Sequence, residues 1–210
     1  MGDTSKRSAI LDVASRLFAE KGYDKTPTSE IAHEAGVAEG TLYHHFGSKD
    51  GIFLTIFDEL LKEYLTGAEA LAAEGTTGAE TLTALIRFHF EFLERNRTRF
   101  LVILRDFPNH LATESAGRPA ETRHRFNRMT DLLSGVLSRG ADDGTLSTRF
   151  SMRDTAGLLR GILYGTTRHS LLGIIHVPLS RLSPMVEEYS LRALAPEGGT
   201  GRKRKGGRRK

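Results

Sequence analysis

The chain contains no cysteine, which excludes disulfide and thiolate-metal chemistry and suits a reducing compartment. No apolar run approaches the ~18 residues that a membrane span needs. The first ten residues, MGDTSKRSAI, include no apolar signal region, so an intracellular protein without a membrane anchor is expected. The alternating pattern of strands is missing, as are heptads and any repeat of roughly 20 to 50 residues. What remains is an all-α chain of 210 residues, long enough for one sizeable core or two small ones.

Net charge is small in the body of the chain. The formal +4 arises because seven of the 30 basic residues lie in the last nine positions, RKRKGGRRK, which hold no acid; without them 23 basic residues face 26 acidic ones. Affinity for a polyanion must therefore come from a local patch. Lys6, Arg7, Lys25 and Lys49 are candidates for it. The tail has no apolar residue to offset the entropy of ordering it, so it is expected to be disordered. It serves either as a solubilising appendage or as a salt-dependent, sequence-independent DNA contact.

Helical periodicity covers nearly everything else. Residues 5–22 put Ile10, Val13, Ala14, Leu17 and Phe18 on one face and end at Gly22. Further helices are expected at about 49–73, 77–96, 99–107, 120–139 and 151–175, with a last one after Pro178. Thr77-Gly78-Ala79-Glu80 is a capping box, Pro108 is a stop and GADDG at 140–144 is a break.

Residues 28–49, TSEIAHEAGVAEGTLYHHFGSK, read as two short helices joined by a tight turn. Thr28 is placed to cap the first, Ile31, Ala32 and Ala35 face inward, and Gly36 supplies the left-handed residue after it. The second starts near Glu39, anchored by Leu42 and Phe46, and carries Thr41, Tyr43, His44 and His45 toward phosphates or base edges. Ser48 caps the helix that follows. This is a helix-turn-helix, a unit that presents one short helix to a major groove.

Ile31-Ala32, Ala35-Gly36-Val37, Gly40-Thr41-Leu42-Tyr43, His45-Phe46 and Ser48-Lys49 form one ungapped run that resembles the DNA-binding domain of the tetracycline-repressor-like (TetR) family of bacterial transcription regulators. The resemblance covers residues 8–57; beyond them it is one of helical pattern and length. It implies a three-helix DNA-binding domain (1–50), a helical effector-binding and dimerisation domain (51–196) and a basic tail (197–210), with about nine helices in all. It implies phosphate contacts by Thr28, Tyr43 and Lys49, and base readout by Glu39, Gly40, Thr41 and His45, with Ser29 at the edge of reach and His44 beside them. Two positions depart from the family. Glu39 stands where lysine, arginine or glutamine is common, and Ala38 replaces the usual serine or threonine cap, forgoing about 1 kcal/mol.

Gly157, Gly161 and Gly165 recur every fourth residue and flatten one side of a helix. Intramolecular packing is the plain reading; the resemblance implies a homodimer paired through the last two helices. Phe88, Phe90, Phe92, Phe100, Phe107 and Phe126 make the middle helices aromatic. An ordinary core accounts for any one of them, whereas the family encloses a small apolar effector here. His89, Phe92, Phe107, Phe126 and Tyr164 are the candidate effector contacts.

Glu30-x-x-His33 and Glu121-x-x-His124 match the pattern of di-iron bundles. One copy lies inside the DNA-binding motif and the other among arginines, so no metal, cofactor or catalytic site is expected. The reading is a cytoplasmic bacterial regulator that binds a palindromic operator as a homodimer and is released by a small hydrophobic effector. The alternative is an architectural protein that binds DNA of any sequence through its tail.

Overall fold

A computed structural model describes residues 3–106 and 119–196, apart from the side chains of 105–106 and 119–126. Those residues form nine helices and no strand. They are α1 (Asp3–Lys21), α2 (Thr28–Glu34), α3 (Glu39–Phe46), α4 (Lys49–Glu74), α5 (Gly78–Arg95), α6 (Arg97–Asp106), α7 (Pro119–Asp142), α8 (Met152–Leu171) and α9 (Leu179–Ala193). The expectations for Phe107, Pro108 and the basic tail lie outside the described residues, as does that for the side chain of Phe126.

Two apolar cores share the fold. The first gathers Ile10, Ala14, Leu17 and Phe18 of α1, Ile31 and Ala32 of α2, Leu42 of α3 and Ile52, Phe53 and Ile56 of α4. The second runs from Leu60 through Ala72 of α4 into α5, α7, α8 and α9. Helix α4 is long enough to serve both, since 26 residues span roughly 39 Å at 1.5 Å per residue. One residue of the first core comes from far along the chain: Val102 of α6 is fully buried among the α1–α4 side chains.

Local chemistry fixes the helix ends. Ser48 caps α4 by accepting from Gly51 N at 3.0 Å, and Thr77 with Glu80 forms the capping box of α5. Thr28 does not cap α2. The cap position is Pro27, whose ring holds the extended φ of −75°, and Thr28 becomes the first helical residue with its hydroxyl free to point elsewhere. Helix α8 ends at Leu171, four residues short of expectation, because Gly173 turns left-handed (φ +70°). Helix α7 runs three residues past its expected end and stops at Asp142, inside the expected break, where Gly144 turns left-handed (φ +74°). A Cβ on Gly78 would lie 2.2 Å from Gly140 Cα, so the close crossing of α5 and α7 demands glycine there. Arg87 of α5 clamps α9 through paired bonds to Glu187 at 2.8 and 3.0 Å.

Candidate nucleic-acid interface and effector cavity

Helix α3 turns by roughly 100° per residue, so burying Leu42 settles where its other side chains go. Glu39, Gly40, Tyr43 and His44 are exposed, Thr41 is half-buried, and a Cβ on Gly40 would meet no described residue within 4 Å. His45 sits only about 60° from Leu42 by the same geometry, and its side chain is 8% exposed. Its Nε2 lies 3.3 Å from the Asp3 carboxylate, short of hydrogen-bond geometry, and its ring packs beside Phe46. His45 thus belongs to the seam between α3 and α1, apart from the outward face that Glu39, Tyr43 and His44 occupy.

Ala38 is the cap residue of α3, extended at φ −68° and ψ 144°, with no side-chain bond to the helix start. Glu39 follows in the first turn, where a carboxylate is favoured by the helix dipole. Its Oε1 accepts from Thr28 Oγ1 at 2.8 Å, and Thr28 Oγ1 lies 3.0 Å from Tyr43 OH. Ser29 is exposed beside them. Lys49 is turned inward, its ammonium donating to Tyr23 O at 3.0 Å and Thr26 O at 3.3 Å, over the Tyr23 ring. It pins the loop between α1 and α2. Arg7 is paired with Glu59 at 2.7 Å and stacks over Phe46, so one expected cation of the patch already has an acidic partner in the protein. Tyr23 donates to Asp50, and burial together with that carboxylate pushes its phenol pKa up.

The second core encloses a cavity of about 280 Å³ between α4, α5, α6, α7 and α8. Phe57, Leu60, Tyr64, Phe92, Leu93 and Phe100 supply apolar wall, and Arg160 is the cationic lining residue among those described. Of the expected effector contacts, His89, Phe92 and Tyr164 line it; Phe107 and Phe126 lie outside the described side chains.

His89 is almost wholly buried, and both ring nitrogens are engaged. Nδ1 lies 2.9 Å from Tyr64 OH, and Nε2 lies 3.3 Å from Leu163 O and 3.1 Å from Thr167 Oγ1. Because a carbonyl only accepts, Nε2 carries the hydrogen and Tyr64 donates to Nδ1. Burial lowers the His89 pKa to about 4, against a smaller opposing pull from Leu163 O, and raises that of Tyr64. The ring is neutral at physiological pH and ties α4 to α5 and α8 through the cavity wall.

Sequence reasoning missed Arg160, although it stands four residues before Tyr164 and so on the same face of α8. It also missed α6 as a shared element. Phe100 and Ile103 line the cavity while Val102 enters the first core, and Arg99 reaches Asp12 of α1 (3.7 Å) and Glu63 of α4 (3.4 Å). Ten residues with no strong apolar stripe give little hint of that.

The glycine strip of α8 faces outward. Among the described residues, a Cβ on Gly157, Gly161 or Gly165 would meet nothing within 4 Å. Leu158 and Tyr164 flank it, and Met185 and Tyr189, one turn apart on α9, are exposed as well. Among the described residues, no three His, Asp or Glu side chains gather closely enough to hold a metal ion, and no helix is long and apolar enough to cross a membrane.

A family model described as bacterial regulatory proteins, tetR family, matches residues 10–56, which spans α1 through the first turns of α4. The HTH-type transcriptional repressor KstR2 of Rhodococcus jostii is 31% identical over 163 residues, 74% of this chain and 78% of the relative. The fatty acid metabolism regulator protein of Bacillus subtilis is 28% identical over 165 residues, 77% and 79% of the two chains. The fold matches the crystal structure of the transcriptional regulator FadR from Bacillus subtilis in complex with stearoyl-CoA, with a TM-score of 0.75 and 24% identity over 89% of this chain and 98% of that one.

Proposed function

Because this chain belongs to the tetR family of bacterial regulatory proteins, and is a DNA-binding transcription regulator rather than an enzyme, we propose that it is a cytoplasmic repressor released from a palindromic operator by a small apolar ligand. The observation that carries the reading is how closely the two cores are joined. On α4, Ile56 lies in the first core and its neighbour Phe57 lines the cavity; on α6, Val102 lies in the first core and its neighbour Ile103 lines the cavity. A ligand that repositions the cavity wall must move a side chain one residue away from the DNA-binding core. It changes DNA affinity by its differential affinity for the two arrangements.

The outward α3 face, with Glu39, Gly40, Thr41, Tyr43 and His44, is the surface offered to the major groove. Thr28 and Ser29 at the start of α2 stand beside it, where the first helix of such a motif crosses the backbone. His45 and Lys49 reach DNA only after leaving their present partners. Two copies joined through the glycine strip and the exposed side chains of α8 and α9 set two such faces against half-sites about 34 Å apart.

The cavity volume of about 280 Å³ falls just below the ~300–1,000 Å³ usual for ligand sites. Its walls suit a hydrocarbon body and Arg160 suits an acidic end, and the relative solved with stearoyl-CoA supports an acyl-bearing ligand. Operator binding by the purified protein, followed by anisotropy with a long-chain fatty acid and with its methyl ester, tests this. The acid is expected to release DNA at lower concentration than the ester, and Arg160→Gln to erase the difference. Equal potency in both proteins would remove Arg160 from recognition, and no release by either would remove the acyl reading.

A further inference from the structure

Glu39 stands at the start of α3 on the outward face, at the end of a chain of two hydroxyls. Thr28 Oγ1 donates to Glu39 Oε1 at 2.8 Å. A threonine hydroxyl has a single hydrogen, so the 3.0 Å contact between Thr28 and Tyr43 is made with Tyr43 as donor. The bonds run in one direction, from Tyr43 to Thr28 to the Glu39 carboxylate. The Thr28 hydrogen is committed to the carboxylate and the Tyr43 hydrogen to Thr28 Oγ1.

Thr and Tyr hydroxyls are ordinary donors to DNA phosphates, and these two lie on the two helices that approach the duplex. To donate to a phosphate, each must turn its hydrogen away from this relay. The carboxylate adds repulsion of its own toward a polyanion. We propose that Glu39 is an internal competitor for DNA phosphate: it holds Thr28 and Tyr43 in a closed relay and so weakens binding to DNA of arbitrary sequence. The physical gain is specificity, since what matters for a regulator is the ratio of specific to non-specific affinity.

Simple repulsion and a hydrogen-bond relay predict different things. Repulsion disappears equally in Glu39→Gln and Glu39→Ala, because both remove the charge. The relay survives in part in Glu39→Gln, whose amide oxygen still accepts from Thr28, and is lost in Glu39→Ala. The repulsion acts whether or not Thr28 and Tyr43 keep their hydroxyls; the relay does not.

The experiment is anisotropy titration of the full-length protein and its variants with a labelled random-sequence duplex at about 50 mM salt, where non-specific contacts are strong. Glu39→Ala is expected to tighten binding about threefold to tenfold, and Glu39→Gln by less. In the Thr28→Val/Tyr43→Phe background the gain from Glu39→Ala falls below about twofold, a coupling read directly from the double-mutant cycle. All three side chains exchanged are exposed or half-buried, and circular dichroism is expected to show an unchanged fold. Equal gains in Glu39→Ala and Glu39→Gln that persist in the doubly substituted background would overturn the relay. So would unchanged affinity for random DNA accompanied by an altered preference at a single base pair, which would make Glu39 a base reader.

Discussion

The single residue that links most of the ligand-facing half is His89. Its neutral ring accepts from Tyr64 on α4 and donates toward Leu163 and Thr167 on α8. Burial holds its pKa near 4, against 6.5 in an open chain. Between those values the unfolded chain binds the proton and the folded one does not, so stability rises with pH across that window and is lost as pH falls through it. The loss attributable to His89 reaches about 3 kcal/mol by pH 4. Denaturant titrations between pH 4 and 7 should show that His89→Gln flattens this part of the pH dependence, even if it lowers stability at pH 7. A slope identical to that of the parent would place the titration elsewhere. The residue was visible in the sequence as one histidine among phenylalanines; its partners were not, because Tyr64 and Thr167 lie 25 and 78 positions away.

At the scale of elements, the helix-turn-helix was readable almost residue by residue. Gly36, Leu42, Phe46 and Ser48 are local signals, each acting within a turn or two of its own position. Side-chain direction was less readable. The family resemblance implied that His45 reads bases, yet packing of Leu42 and Phe46 carries its ring into the α1 seam. Lys49 looked like a phosphate contact, yet two carbonyls of the α1–α2 loop hold it. Helix α6 was readable as a helix but not as a joint, because Val102 finds its core across the chain. Val102→Ala should cost about 1–3 kcal/mol in urea unfolding and reduce the shift in operator affinity that an acyl ligand produces. A full ligand response in this variant would leave α4 as the sole connection.

The molecule presents an α8 face on which the described residues of a single copy pack nothing against the glycines. Mid-helix glycine costs roughly 1 kcal/mol relative to alanine, and three glycines one turn apart, each with no described residue within 4 Å of where a Cβ would stand, give no return among the described residues of one chain. The four-residue period was plain in the sequence, and only the structure places it outward. Gly161→Leu should leave the single-chain fold at least as stable while filling the space another helix needs. Sedimentation is expected to give a dimer for the parent and a monomer for the variant; a dimeric variant would move the interface off this strip.

The central claim, a two-fold reader of DNA built from two such chains, is tested most directly by selecting duplexes from a random library with purified protein at about 150 mM salt, where sequence-independent binding is weak. The account predicts enrichment of an inverted repeat whose half-sites lie one helical turn, about 34 Å, apart or a multiple of it. A pool with no enriched sequence, retained only as salt is lowered, would contradict it and favour a protein that binds DNA through charge alone.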